Sequence, residues 1–391
     1  MYFPKERKHV RRITMKEYRI PVELLDCKVN EESKADEDFI EGNKQNIIDE
    51  LSKIGIIAEI QSYFVGPTVI TYNVINSNCL SLKKVEDFKS ELSLATKMPV
   101  RCYFDKISGF FCVELPRKRR EVVDFKKLPK QSGNDLIIVL GKNTKNEYET
   151  CNLSVAANML VVGTSGSGKS NFLYAVITSL VFSRSPENLK LLLIATNKTE
   201  FTAFYGLPHL IAEPAVEAAN IQNVLDGIVD ETEKRYRLFR EVHDCGRNVV
   251  NVCEYNESVD DGEKLPQIVV VIDELSEVLR LCGEKSRNAI LRLTQKARAA
   301  GIYVLASNGS ATLASLDRTL LNNFHARIAF KVFKQTDSQI VLNDSGAQDL
   351  LGKGDFLCVI PGNVYAKRIQ SPYVLLEVVK NVVEYAKEHF N

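Results

Sequence analysis

The chain has 391 residues with 51 basic and 50 acidic side chains, so its formal net charge is only +1. This balance excludes a globally basic nucleic-acid-binding protein, although a local basic surface can still exist. The longest apolar runs, such as 191–195 and 268–272, are too short to span a bilayer. Nine cysteines without a CxxC pair argue against a disulfide framework or a zinc site. We therefore expect a cytoplasmic protein with reduced thiols, no signal peptide and no membrane segment.

The N-terminal segment, residues 1–42, is dominated by charge. Basic residues cluster in its first half, and the acidic run "EESKADED" (31–38) follows them. This composition predicts a solvated, partly disordered arm, and a binding arm is the alternative.

Residues 43–115 show the pattern of a small α+β domain. Apolar residues recur at helical spacing from Ile47 to Ile54, and two apolar strands follow, joined by a turn at Gly66. A second amphipathic helix over about 84–96 leads into two more strands joined by "DKISG". The order helix, strand, strand thus occurs twice, and this repetition predicts one small sheet with helices packed on it.

The basic, proline-bounded stretch within 116–134 reads as a connector, and from 135 to 391 strands alternate with helices. The longest predicted helix covers about 215–242, and another covers about 374–389. Such alternation predicts a mostly parallel sheet with helices on both faces. The predicted strands are 136–140, 159–162, 189–195, 267–272, 302–306, 326–332 and 355–360. The stretch 244–265 has little periodicity and is expected to be a surface excursion.

A phosphate-binding loop is predicted at "VVGTSGSGKS" (161–170), which fits G-x-x-x-x-G-K-[ST]. The glycines let the backbone curl with N–H groups facing an anion, and the following helix adds its positive dipole end. Lys169 should reach the β- and γ-phosphates of ATP, and Ser170 should ligate Mg²⁺. The residues predicted to contact ATP are Gly163, Thr164, Ser165, Gly166, Ser167, Gly168, Lys169 and Ser170.

The stretch "IVVVIDEL" (268–275) predicts the acidic partner of this loop. Its apolar strand delivers Asp273 to the edge of the sheet where open α/β proteins bind ligands. Asp273 is therefore the expected contact to Mg²⁺ and nucleotide, direct or through water. Glu274 follows it and could orient and activate the attacking water. The alternative is a strand that ends in two solvated acids.

Further motifs make the chain resemble the FtsK, SpoIIIE and HerA family of ring-shaped DNA translocases, over roughly residues 43–390. They include "GPTVITYNV", "YGLPHL", "LTQKARAAGI" and "GAQDLLGKGDFL". The resemblance implies a RecA-like P-loop NTPase motor of α/β class, preceded by a small α+β domain. It also implies a homo-oligomer, a hexameric ring with ATP between subunits and double-stranded DNA in its central hole. The family's membrane anchor and winged-helix DNA reader are not expected in this chain.

The resemblance also assigns Arg298, in "QKARAAG", to the arginine-finger position that serves a neighbouring subunit. Arg298 is expected on the helix after Asp273, and a lone helical arginine is otherwise usually a surface charge. The family's glutamine sensor, however, aligns with Gly309, and Asn308 stands one place away. We therefore expect Asn308 to contact the nucleotide in its stead.

Basic positions of the family's DNA-gripping loops are uncharged here. The family's cations align with Ser310, Leu321, Gln335 and Gln339. Each lost phosphate contact removes about one unit from the salt slope of binding. Other nearby cations could replace them, or could be solvated loop charges. These candidate DNA contacts are Arg318, Lys331 and Lys334.

Three functions stay open on the sequence. The first is an ATP-driven motor on double-stranded DNA. The second is an FtsK-like ATPase that acts on a protein substrate, as in secretion systems. The third is a nucleotide-gated assembly protein with weak turnover, because the glutamine sensor is missing.

Overall fold

The computed structural model describes residues 18–25, 37–76, 82–125, 135–310, 313, 316–363 and 365–390. The strands are β1 (Ala58–Val65), β2 (Val69–Asn76), β3 (Arg101–Phe104), β4 (Phe111–Pro116), β5 (Ile137–Asn143), β6 (Tyr148–Asn152), β7 (Asn158–Gly163), β8 (Leu189–Ile194), β9 (Gln267–Ile272), β10 (Ile302–Gly309), β11 (Ala326–Phe330), β12 (Asp355–Val359) and β13 (Lys367–Gln370). The α-helices are α1 (Glu37–Lys53), α2 (Leu82–Thr96), α3 (Leu153–Ala156), α4 (Lys169–Ser183), α5 (Ala218–Asp244), α6 (Val252–Ser258), α7 (Leu275–Lys296), α8 (Arg318–Asn322), α9 (Gln335–Leu342) and α10 (Leu376–Phe390).

Within these residues, the smaller sheet is four-stranded and antiparallel, in the order β1-β2-β4-β3. Helices α1 and α2 supply the apolar stripe that covers one of its faces. Ile47 and Leu51 of α1 and Phe88 and Leu92 of α2 are buried there against Tyr72 of β2. The predicted helix, strand, strand repetition therefore forms one core.

The larger sheet contains nine of the described strands, in the order β6-β5-β13-β12-β11-β7-β10-β9-β8. The five strands from β11 to β8 are parallel, and the four from β12 to β6 extend them in antiparallel pairing. Strand β7 is buried along its whole length, as expected for a central parallel strand. The antiparallel extension was not predicted, because β6 and β13 are short and largely polar.

Two helical layers enclose the large sheet. Alternate residues of each parallel strand face opposite layers, so Val161 of β7 packs with α4 and α10. Its neighbour Val162 packs with α5 and α7 on the other face. This alternation fixes which side of the sheet each residue at the strand ends can reach.

The prediction of a solvated arm over residues 1–42 is wrong for two parts of that segment. Helix α1 begins at Glu37, with Ile40 already buried in the small core. Tyr18 lies against the large domain, where its hydroxyl donates to the carbonyl of Val181 at 2.5 Å and its ring packs on Phe390. Apolar side chains anchor these two parts of the charged segment to the folded domains. The charge of a segment gives no information about such residues. Residues 1–17 and 26–36 lie outside the described residues, as does 126–134 of the connector.

The stretch 244–265 also holds more structure than its sequence suggests. Helix α6 is capped at its N-terminus by Asn251, whose side chain accepts hydrogen bonds from the N–H groups of Cys253 and Glu254. Val252 and Tyr255 pack on Phe239 of α5 in a small satellite core. A seven-residue helix is too short to show a clear period. No described helix has the length and apolar character needed to cross a membrane.

Candidate nucleotide site

The phosphate-binding loop connects β7 to α4 at the carboxyl ends of the parallel strands. Two of its glycines are required by space. A Cβ on Gly163 would lie 2.6 Å from the Cβ of Phe330, and a Cβ on Gly168 would lie 2.6 Å from the backbone nitrogen of Gly354. Gly168 also has a φ of 118°, a conformation that side chains rarely adopt. The loop is therefore packed closely against its supporting strands.

The tip and the base of this loop differ in exposure. Ser165 and Gly166 are exposed, whereas Ser167 is buried and its hydroxyl donates to the carbonyl of Thr164 at 2.7 Å. The N–H of Thr164 donates to the carbonyl of Lys331 at 2.8 Å, directly after β11. The loop is thus held by neighbouring backbone while its tip stays open to an approaching phosphate.

Lys169 begins α4 and lies back across the loop. Its Nζ donates to the carbonyls of Gly163 at 2.9 Å and Thr164 at 3.3 Å, and lies 3.7 Å from Oε1 of Glu274. The side chain is almost buried. The predicted phosphate-binding cation and the predicted catalytic acid are therefore adjacent.

Asp273 follows β9 directly and is buried. Its Oδ1 accepts a hydrogen bond from Ser307 at 2.5 Å. Burial raises the pKa of this carboxyl, and the charge of Glu274 raises it further, against the opposing effects of Ser307 and Lys169. A cation beside Asp273 would therefore relieve the cost of its charge.

Glu274 takes a left-handed backbone conformation with φ 54° just before α7. Its N–H donates to the hydroxyl of Ser307 at 3.1 Å, and its Oε2 accepts from the N–H of Gly309 at 2.8 Å. The small, neutral tip of β10 therefore holds both acids. A long charged side chain at Ser307 or Gly309 would displace these contacts, which explains why this strand end carries no charge.

Asn308 is buried at the end of β10, on the side of the sheet that faces α7. Because β10 alternates, Ser307 faces the side of α4 and Asn308 faces α7. The Oδ1 of Asn308 accepts from the N–H and the hydroxyl of Ser276, at 2.9 and 2.6 Å, in the first turn of α7. This amide therefore caps the helix that begins beside Glu274, and its contact with nucleotide stays a prediction.

Arg298 lies in the turn after α7, not on the helix itself, and is exposed. Strand β10 starts at Ile302, so Arg298 lies at the amino ends of the parallel strands, whereas the phosphate loop lies at their carboxyl ends. Eight residues of strand separate the two edges by about 25 Å. Arg298 therefore cannot reach the phosphate loop of its own chain.

A cavity of about 410 Å³ opens beside Gly166 and Gly168. Its walls come from the connector, at 120–123, and from the segment after β13, at 370–373. These walls are mainly apolar, as ligand pockets usually are. Sequence reasoning missed them, because no local motif marks two segments 250 residues apart as neighbours.

The three cations predicted to contact DNA are exposed, and two of them directly follow β11, at the point where the phosphate loop is hydrogen-bonded. Lys331 and Lys334 follow β11, and Arg318 begins α8. Leu321, where the resembling family has a lysine, is buried in the core. That position could not carry a solvated charge in this fold.

Comparison with known proteins gives the family. The family model described as "FtsK/SpoIIIE family" matches residues 121–311, and the "FtsK alpha domain" matches 20–117. DNA translocase FtsK of Staphylococcus aureus (strain COL) is 31% identical over 380 residues, which are 94% of this chain and 48% of that protein. DNA translocase FtsK 2 of Neisseria meningitidis is 30% identical, over 91% of this chain and 37% of that protein. The chain thus spans about half the length or less of these curated relatives.

Solved structures share the fold. The conjugation coupling protein TcpA of pCW3 aligns with a TM-score of 0.59 at 20% identity, over 85% of this chain and 95% of that one. EssC (ATPases 2 and 3) of Geobacillus thermodenitrificans aligns with a TM-score of 0.58 at 18% identity, over 67% of this chain and 51% of that one. These likenesses confirm the predicted α/β fold of P-loop ATPase motors. The matched family models and the curated relatives carry the conclusion on family: the chain belongs to the FtsK/SpoIIIE family.

Proposed function

We propose that this chain is an ATP-hydrolysing motor that works as a hexameric ring on double-stranded DNA, with residues 135–391 as the motor. One observation carries the proposal. Lys169 follows β7 and the loop, Asp273 and Glu274 follow β9, and Ser307 and Gly309 of the intervening β10 hold the two acids, so these groups converge at the carboxyl ends of three neighbouring parallel strands. Such convergence is the arrangement that phosphoryl transfer requires.

The residues would act in distinct ways. Lys169 would exchange its two loop carbonyls for the β- and γ-phosphates, which are the stronger, charged acceptors. Glu274 would orient the attacking water and take its proton, since its Oε2 is fixed by Gly309 while its side chain stays one-third exposed.

The residues present also fit Mg²⁺. A carboxylate and a hydroxyl, from Asp273 and Ser170, are hard oxygen ligands of the type that this ion prefers. Ser170 is exposed at the start of α4, and Asp273 carries an unfavourably buried charge. When bound, the ion would neutralise phosphate charge.

The nucleoside would occupy the 410 Å³ cavity beside the phosphate loop. Its mainly apolar walls suit a purine ring, and Gln370 offers a buried Oε1 that has no hydrogen-bond partner among the described residues. The connector would therefore touch ATP, although its charge and prolines suggested only a linker.

The exposed position of Arg298 supports the proposal of a ring. It is exposed at the edge remote from its own phosphate loop, so its use in catalysis needs a second subunit. An arginine supplied in this way stabilises charge developing on the γ-phosphate. We infer that each subunit completes the site of its neighbour.

DNA as the substrate is supported by the curated relatives, which are DNA translocases, and by the exposed cations Arg318, Lys331 and Lys334. A steady-state ATPase assay tests this substrate. The rate is measured with duplex DNA, with single-stranded DNA and without polymer, each at two salt concentrations. We expect duplex DNA to stimulate turnover more at low salt, because phosphate contacts release counterions. Equal rates with and without duplex would reject the DNA substrate.

A variant with all three cations changed to alanine sharpens this test. Its binding to duplex DNA should lose about one unit of salt slope for each phosphate contact removed. Lys380→Ala, on the exposed side of α10, is the control and should leave the slope unchanged.

A protein substrate is the second candidate, favoured by the uncharged residues Gln335 and Gln339. Both are exposed on α9, where the resembling family carries cations. Stimulation by a polypeptide and not by DNA would support this candidate. Weak turnover with no polymer response would favour a nucleotide-gated assembly protein instead.

A further inference from the structure

The two sheets are joined by a chain of buried ion pairs. It starts in the small sheet, where Arg101 of β3 and Glu114 of β4 are directly opposite each other in register. The Nη1 of Arg101 donates to Oε2 of Glu114 at 2.9 Å. Both side chains are more than nine-tenths buried.

The chain continues in the large sheet through Arg368 of β13 and Asp355 of β12. Arg368 binds Asp355 with two parallel hydrogen bonds, from Nε to Oδ1 at 2.9 Å and from Nη2 to Oδ2 at 2.6 Å. Its remaining terminal nitrogen, Nη1, donates to Oε2 of Glu114 at 2.5 Å. One oxygen of Glu114 therefore holds arginines from both sheets.

The charges in this chain balance, with two guanidinium groups and two carboxylates. Burial opposes the charge of Glu114, but Arg101 and Arg368 outweigh that effect and lower the pKa of its carboxyl. Removing one member of such a set leaves an uncompensated buried charge. The position of each partner is thus sensitive to the others.

The end of the chain reaches the phosphate loop. Asp355 is preceded by Gly354, whose N–H donates to the carbonyl of Ser167 at 2.8 Å. Gly354 also packs so closely on Gly168 that no side chain fits between them. A shift of Asp355 therefore moves backbone that touches the loop beside Lys169.

We propose that Glu114 of the small domain is a positioning residue for ATP, acting through Arg368, Asp355 and Gly354 on the phosphate loop. This inference rests on the proposed nucleotide site. The docking of the small domain on the large domain and the binding of ATP would then be coupled. Docking would change the affinity for ATP by the same factor by which ATP changes the docking equilibrium.

A second ion pair between the domains provides a matched control. Lys89 of α2 binds Asp349 at 2.7 Å, and both side chains are partly exposed. Among the described residues, this pair joins the same two domains and has no ion-pair connection to Gly354. If Glu114 served only to dock the domains, breaking either pair would have similar consequences.

Binding of a fluorescent ATP analogue to the full chain tests the proposal. Glu114→Gln should raise the Kd about fivefold or more. Lys89→Met should raise it less than about twofold, as expected for a partly exposed pair. The effects of Glu114→Gln and Asp355→Asn should not add, because both break one path. Equal effects of Glu114→Gln and Lys89→Met, or full additivity with Asp355→Asn, would overturn the proposal.

Hydrogen–deuterium exchange on the unaltered chain avoids the risk that these variants misfold. A slowly hydrolysed ATP analogue should slow exchange at 163–170 and also at 111–116, in β4. Protection of 163–170 alone would overturn the inference while leaving the nucleotide site intact. Absence of protection at 163–170 would reject the nucleotide site itself, and the inference with it.

Discussion

The larger sheet contains parallel and antiparallel strands, and the two groups contribute differently to the candidate site. The parallel half, from β8 to β11, ends in the groups that would perform chemistry, which are Lys169, Asp273 and Glu274. The antiparallel half, from β12 to β6, supplies Gly354 and Arg368, which support the loop from behind. Changes in the first half should remove activity from a folded protein, whereas changes in the second should act through stability or position.

Lys169→Ala gives the largest expected effect on the parallel half. The loop would lose the only charge that it directs at the β- and γ-phosphates, so ATP binding should fall below detection in calorimetry. Lys380→Ala is the matched control and should bind normally. Retained affinity in Lys169→Ala would contradict the assignment of the loop.

Arg298→Ala should lower turnover about a thousandfold, the usual scale for an arginine finger. ATP binding to the isolated subunit should stay unchanged, because Arg298 lies far from its own loop. Mixed rings of altered and unaltered subunits should lose activity more steeply than the mole fraction of the variant. The control is Arg292→Ala, an exposed arginine of α7 paired with Glu233. A loss in simple proportion would place Arg298 outside catalysis.

Glu274→Gln should slow hydrolysis about a hundredfold, since the amide cannot take a proton from water. ATP should still bind, and rapid filtration should recover rings with unhydrolysed ATP. Glu277→Gln, one turn further along α7 and paired with Arg280 in solvent, should keep the normal rate. Unchanged hydrolysis in Glu274→Gln would require another group to act as the base.

Gly141→Ala tests the antiparallel half. Gly141 lies at the irregularity between β5 and β6, with φ 137°, and an added Cβ would come within 1.9 Å of the carbonyl of Gln370. We expect a loss of about 2 kcal/mol in the free energy of unfolding. Gly42→Ala, inside α1 with open space around it, should gain about 0.5–1 kcal/mol. Denaturant titration measures both.

Asn308→Ala should have the smallest effect, about a tenfold fall in kcat with little change in ATP affinity. The cap of α7 would be lost beside Glu274, which loosens the acid without removing it. A large loss of ATP affinity would instead support the nucleotide contact first expected of Asn308.

The sequence was informative wherever function depends on neighbouring residues in the chain. The ten residues 161–170 identify the phosphate loop, and the apolar run before Asp273 places the acid at a strand end. The side to which Asn308 points depends on the register of β10 against β7, which a motif does not contain. The walls of the cavity and the pairing of Glu114 with Arg368, 254 residues apart, arise only when the chain folds.

The hydrogen bond between Thr164 and Lys331 has a mechanical consequence. It connects the proposed ATP-binding loop to the segment that carries Lys331 and Lys334, through a backbone N–H and a carbonyl oxygen with 2.8 Å between nitrogen and oxygen. A displacement of the phosphate loop would therefore be passed directly to the backbone of the segment after β11 that carries both exposed lysines.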